Sequence, residues 1–405
     1  MPFALCLFNL KLITYYYLIM KLLHISDLHI GKNVNGFSMI EEQRHVFEQI
    51  CNVARQQKPD AVLIAGDVYD KSVPSAEAVQ LFDEFLTKLT ESVTSDAHIF
   101  IISGNHDSPE RIAFGAEIMR RQNIHLSPVY KGDVKPVIIS DKDGPVAFYM
   151  LPFIKPVAVR HFFENEEIIT YTDAMRLAIA QMNIDKKMRN VLICHQFVTN
   201  AERSESEETI VGGLDNVDAQ VFADFDYVAL GHLHRPQSCE RPTIRYSGSP
   251  LKYSFSEVND CKTITIANMN ANGGVEFSFI PTSPLRNWVD LRGTYNELTS
   301  LQYYESKPEL RESFVRVTLT DENDIPDAIG KLRSIYHNIM ELNYDNKRTQ
   351  TNNSIVVNKD DGKNKTPVEL FAEFYETQNG ESSLTAEQQV FISEIMERVQ
   401  NRKLD

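Results

Sequence analysis

The sequence predicts an α/β protein built on a largely parallel, helix-covered sheet. Three observations carry the prediction. Short apolar runs alternate with longer stretches of helical periodicity, the composition is that of a folded chain, and polar residues gather just after the apolar runs. With 405 residues, 42% apolar and 24% charged, the chain has room for two or three domains, and disordered, collagenous and disulfide-scaffold classes are excluded.

KLLHIS (21–26) reads as the first strand. In 39–55, Ile40, Val46, Phe47, Ile50 and Val53 share one helical face. AVLIAGD (61–67) is the second strand, 75–89 the second helix and HIFIIS (98–103) the third strand. Further strands are expected at VAFYML (146–151), NVLICH (190–195), YVALGH (227–232), TIRYSG (243–248) and TITIAN (263–268). Two prolines, Pro281 and Pro284, then punctuate the chain, and a strand at 314–320 with a helix over 325–342 suggests a small α+β unit. The stretch 344–366 is polar and reads as a linker. Beyond it, 367–378 and 385–400 are amphipathic helical segments too short to be stable without a partner surface.

The first twenty residues, MPFALCLFNLKLITYYYLIM, are nearly apolar and about long enough to span a bilayer. A signal peptide fits poorly, because the only charge is the mid-run Lys11 and no small-residue cleavage site follows. A membrane anchor would press the first strand against the bilayer. The favoured reading starts the fold at Met20 and treats residues 1–19 as an upstream extension. Five scattered cysteines without a C-x-x-C pair suggest neither a zinc knuckle nor disulfides, and point to a reducing, cytoplasmic compartment. A net charge of -15 argues against coating nucleic acid through bulk positive charge. It leaves a nuclease open, because bound divalent ions offset negative charge locally.

The chemistry gathers at the carboxyl ends of the strands: Asp27 and His29 in SDLH, Asp67 in AGD, Asn105, His106 and Asp107 in GNHD, His195 after NVLIC, and His232 and His234 in GHLH. Ligands bind at such ends in α/β sheets. An i, i+2 pair in extended chain projects both side chains to one side, so each pair can serve one metal centre. Imidazole with carboxylate or amide oxygen, without thiolate, suits manganese, iron or zinc ions. Two ions about 3.5–4 Å apart activate water and clamp the oxygens of an in-line phosphoryl displacement, with Asp67 the natural bridge. Alone, each motif also fits a surface loop or tight turn; together, in strand order, they favour a metal site.

The ordered set SDLH, AGD, SGNHD, CH and GHLH resembles the calcineurin-like metallophosphoesterase superfamily. More narrowly, SDLHIGKN, LIAGDVYDKSVPSAEAV, GNHDSPERI, DYVALGHLHRPQ and YSGSPLKYSFSE resemble the SbcD nuclease subunits, the bacterial counterparts of Mre-type nucleases. The resemblance implies a metallophosphoesterase β-sandwich flanked by helices over 20–280, a capping domain over 281–343, and a helical segment at 367–405 that docks on an SbcC-type ATPase. It implies one manganese on Asp27, His29, Asp67 and His234 and a second on Asp67, Asn105, His195 and His232, with magnesium or another divalent ion as substitutes. His106 would assist departure of the leaving oxygen, a role that suits an imidazole. Lys32, Arg111, Arg235 and Lys252 are phosphate-contact candidates. Some Mre-type nucleases carry a histidine three residues after the bridging aspartate, where this chain has Asp70.

The function so implied is 3′-to-5′ double-strand exonuclease and single-strand or hairpin endonuclease activity in DNA break processing, replication and recombination, near the nucleoid. The assembly implied is a heterotetramer with two copies of each subunit and a nuclease-domain homodimer, without a membrane partner. Two alternatives stand beside it: a small-molecule phosphoesterase, and a metal-free scaffold of the same fold. The acidic run ERSESEE (202–208) reads as a solvated loop near the site, and Cys194 as a buried small hydrophobe.

Overall fold

The computed structural model describes residues 19–163, 166–207, 216–323 and 325–346, with isolated positions between 371 and 395. The extension before residue 19, most of the expected linker and most of the expected docking helices lie outside the described residues. The chain divides into two units, Met1–Leu319 with Ile325–Asn343, and Thr320–Asp324 with Tyr344–Asp405.

Two six-stranded sheets form the centre of the first unit. In chain order the strands are β1 (Met20–Ile25), β2 (Ala61–Ala65), β3 (His98–Ile102), β4 (Ile124–Ser127), β5 (Val137–Asp141), β6 (Gly144–Leu151), β7 (Arg189–His195), β8 (Tyr227–Gly231), β9 (Gln237–Cys239), β10 (Arg241–Tyr246), β11 (Thr263–Met269) and β12 (Val275–Pro281). The first sheet runs β12-β11-β1-β2-β3-β4 and the second β9-β10-β8-β7-β6-β5. Strands β1 to β4 are parallel, as are β6, β7, β8 and β10; the remaining pairs, β1–β11, β11–β12, β9–β10 and β5–β6, are antiparallel.

The sheets pack on each other. Leu22, Leu63, Phe100 and Ile102 of the first meet Phe148, Met150, Ile193 and Ala229 of the second in one buried cluster, in which Phe100 stacks on Phe148 at 4.8 Å. Helices α1 (Ile40–Gln57) and α2 (Ala76–Ser92) cover the outer face of the first sheet through Val46, Phe47, Ile50, Leu81 and Phe85. Ser75 caps α2 by accepting the Ala78 N–H, and Lys58, in the left-handed region, closes α1. Helix α3 (Tyr171–Ala180) covers the second sheet, started by a reciprocal Thr170/Asp173 capping box that the sequence reading passed over.

The doubly covered sheet read from periodicity is therefore a β-sandwich flanked by helices, as the resemblance implied. A strand buried on both faces has the same apolar run whether helices or a second sheet lie against it.

After residue 281, β13 (Trp288–Gly293), β14 (Phe314–Leu319) and β15 (Asn338–Tyr344) form a third sheet. The helix expected over 325–342 spans only Ala328–Arg333 before the chain turns into β15. Ala328, Leu332 and Tyr336 are all buried at helical spacing, which misled the reading; pairing in the sheet overrode local propensity for the rest. This unit joins the first core: Trp288, Phe314 and Met340 cluster with Phe47 and Phe255. Buried Glu42 accepts the backbone N–H groups of Leu285 and Arg286, both at 3.1 Å, and the Arg286 guanidinium at 2.8 Å. Among the described residues no helix is long and apolar enough to cross a membrane.

Candidate metal centre

The carboxyl ends of both sheets meet at one place, and the backbone there is held in unusual conformations. Asp27 (φ 53°), His29 (φ 44°), Asp67 (φ 48°) and His232 (φ 104°) all have positive φ. For such residues this costs about 1–2 kcal/mol each. Interlocking hydrogen bonds hold them: Asp27 N donates to Gly66 O (3.1 Å), His29 N to Asp67 O (3.0 Å), and His232 N to Asp27 Oδ1 (3.0 Å). Asp107 accepts from Val68 N, Tyr69 N and Gly104 N, so it supports the loop. Glycine is required where the elements close in; a Cβ on Gly104 would lie 2.1 Å from Asp67 Oδ1, and one on Gly231 would lie 1.9 Å from Ala65 O.

Asp67 is at the centre. Its Oδ2 lies 3.3 Å from His195 Nε2 and 3.6 Å from His29 Nε2, and its Oδ1 accepts the His106 N–H at 2.9 Å. The Asn105 Oδ1 lies 3.1 Å from His195 Nε2 and 2.9 Å from His232 Nδ1. The Nε2 atoms of His29 and His234 are 3.0 Å apart. Within Asp27–His29–His234, and within Asp27–Asp67–His195, candidate ligand atoms all lie within 4.8 Å of one another. The structure thus brings Asp27, His29, Asp67, Asn105, His195, His232 and His234 together, with half-buried His106 against the His29 ring at 4.8 Å.

These residues fit a divalent cation. Burial pulls His29 down to about 3, leaving the neutral imidazole that ligates a metal, and pushes Asp27 up to about 6, a carboxylate in want of positive charge. Burial also opposes the Asp67 charge, yet His195 holds Asp67 well below the ordinary carboxylate range; against its own burial His195 is raised to about 9, chiefly by Asp67. A divalent cation would take the place of the proton that His195 so retains. His195 Nδ1 donates to Ala65 O at 2.8 Å, which turns Nε2 toward the cluster. His232 Nε2 is buried with no hydrogen-bond partner among the described residues, and His29 Nδ1 faces the Asp70 carboxylate at 3.6 Å.

Several residues escaped the sequence reading. Gln43 donates to His29 O at 2.7 Å, and Tyr253 OH donates to Leu28 O. The acidic run is only partly solvated: Glu207 is buried and accepts the His234 N–H, while Ser206 Oγ lies 2.6 Å from His234 Nδ1. Of the phosphate candidates, Lys32 pairs with Asp70 at 2.8 Å, Arg235 with Glu202 and Asp260, and Lys252 donates to Val258 O. Arg111 is exposed and forms no ion pair among the described residues. Asp70 does more than replace a histidine: its carbonyl lies 3.0 Å from His106 Nδ1.

Residues 20–236 match the calcineurin-like phosphoesterase family, and residues 281–379 match the SbcD_C family, described as the Type 5 capsule protein repressor C-terminal domain. The D component of nuclease SbcCD from Staphylococcus epidermidis is 34% identical over 326 residues, covering 80% of this chain and 85% of that protein. The chain belongs to the calcineurin-like phosphoesterases, in the SbcD family. As an SbcD-family phosphoesterase it has the metallophosphoesterase fold of a family that uses divalent metals, and Asp67 and its neighbours are its candidate metal ligands. A dimetal phosphatase from Danio rerio is similar at 11% identity and a TM-score of 0.37, over 66% of this chain and 100% of that one.

Proposed function

We propose that this chain is the nuclease component of an SbcCD-type complex, hydrolysing DNA phosphodiesters with two manganese ions. The observation that carries the reading is the convergence of Asp, Asn and His from both sheets around one carboxylate, Asp67. Asp27, His29, Asp67 and His234 would hold one ion, and Asp67, Asn105, His195 and His232 the other. When bound, the ions supply an activated water and neutralise charge on the phosphate oxygens.

The remaining work belongs to the chain. His106 presents Nε2 to the leaving oxygen, because the Asp70 carbonyl can only accept and therefore keeps the Nδ1 proton in place. Proton donation then falls to Nε2 of His106 in its imidazolium form, protonated on both nitrogens, which becomes the neutral Nδ1–H imidazole as the leaving oxygen takes the proton. Asp107 and the interlocked loops keep His106 and Asp67 in register. Arg111, exposed and without an ion pair among the described residues, is the best phosphate contact of the four candidates.

The relative's name supports a partnership with an SbcC-type protein and nuclease action, which we assign to DNA. The unit over 281–343 acts as the capping domain that orients DNA, and 367–405 as the docking segment reached through the 344–366 linker. The assembly takes two copies of each protein, with a homodimer of nuclease domains. The activity is 3′-to-5′ exonuclease on duplexes and endonuclease on single strands and hairpins.

The test is cleavage of linear duplex, hairpin and single-stranded DNA by the chain from Met20, with and without manganese, beside a generic phosphodiester. Manganese-dependent DNA cleavage is the expected result. Turnover of the small ester with DNA untouched, even with the SbcC partner added, would overturn the reading.

A further inference from the structure

The acidic loop reaches the centre through a chain of polar contacts. Ser206 Oγ lies 2.6 Å from His234 Nδ1 and donates to Glu257 Oε1 at 2.5 Å. Glu257 Oε2 lies 2.5 Å from Lys262 Nζ, a contact of charges without hydrogen-bond alignment. Lys262 Nζ donates in turn to His234 O (2.7 Å) and Ser249 Oγ (3.1 Å). Glu207 Oε1 accepts the His234 N–H at 2.6 Å. The charged and ring members are enclosed: Glu257 is 0% exposed, Lys262 4% and His234 2%.

The directions of these bonds follow from what each group can do. An ionised carboxylate only accepts, so the Ser206 proton goes to Glu257. Ser206 Oγ then has only lone pairs left for the histidine, and must accept from Nδ1–H. Lys262 Nζ, against Glu257 Oε2, supplies the counter-charge that keeps the carboxylate an acceptor.

We infer that Ser206, ordered by Glu257 and Lys262, is a positioning residue that fixes the His234 proton on Nδ1 and presents the Nε2 lone pair to the metal centre. Outer partners of ligating histidines set tautomer and ring orientation in this way. The inference rests on the metal reading of the site, but the tautomer itself does not.

The experiment has two arms, both on the full chain. Manganese titrated calorimetrically into Ser206→Ala should bind about 10–100-fold more weakly than into wild type. Ser206→Thr, which keeps the hydroxyl, should restore binding to within a few fold. Unchanged affinity in Ser206→Ala, or a threonine variant as weak as alanine, would overturn the assignment. The second arm is the 15N spectrum of histidine-labelled, metal-free wild type, where His234 should be protonated at Nδ1. A proton on Nε2 refutes the inference whatever the variants do. If wild type binds no manganese, the metal reading fails while the spectrum still decides the tautomer.

Discussion

Gly231 of the second sheet faces Ala65 O of the first with no room for a Cβ, and Gly231→Ala tests how much of the chemistry depends on that close approach. The added methyl would lie 1.9 Å from Ala65 O and 2.6 Å from His195 Nδ1, where ordinary contact begins at 3.4 Å. About 1.5 Å must be found by moving one strand, since the obstacle is backbone and the interior is close-packed. The Ala65 carbonyl is also fixed by the bond it accepts from His195. Overpacking of this kind costs about 1–3 kcal/mol, and a backbone obstacle argues for the upper end. A displacement near 1 Å at the reacting groups lowers turnover about 100-fold. Urea unfolding of metal-free protein and manganese-saturated hydrolysis of a generic phosphodiester measure the two effects separately. Gly36→Ala is the control: φ is 86° with nothing within 4 Å, so it should lose stability but not rate. Wild-type turnover in Gly231→Ala at unaltered stability would refute the reasoning.

Other outcomes are as definite. His106→Ala should lower kcat by about 100- to 10,000-fold while metal content, measured by mass spectrometry, stays at the wild-type level; loss of the metals would make it a ligand. Glu257→Ala leaves Lys262 buried and unpaired and should cost about 3–5 kcal/mol in urea melts at neutral pH. Because the Glu257 carboxyl is depressed in the folded state, its contribution is full above its ordinary value of 4.5 and is lost as pH falls below it; the variant should lack that acid-side loss. Deleting residues 366–405 should spare manganese-dependent cleavage of single strands and abolish binding to the ATPase partner, and retained binding would remove the docking proposal.

The strands and the cluster of ligand candidates were legible because each occupies a short sequence window: an apolar run followed at once by Asp, Asn or His. Their meeting point was legible too, since the ends of parallel strands share one side. What depended on distant packing was not. Nothing local distinguishes a β2 covered by a second sheet from one covered by helices. The β15 strand was read as helix because Ala328, Leu332 and Tyr336 keep helical spacing up to the residue where the sheet takes over. Ser206 and Glu207 sit in a run whose charge suggests solvent, and only the approach of His234 and Glu257 from elsewhere in the chain gives them partners.

The strand order also sets a timetable for the chain's birth. Strand β1 pairs with β2 on one side and with β11 on the other, and β11 begins only at Thr263. A ribosome adding about 5–20 residues per second needs roughly 10–30 s to travel from β3 to the end of β11. Throughout that interval the nascent first sheet carries a bare hydrogen-bonding edge at β1, the kind of edge on which foreign strands assemble. Chains cut short before residue 263 keep it permanently, and are therefore expected to aggregate even with every ligand candidate intact.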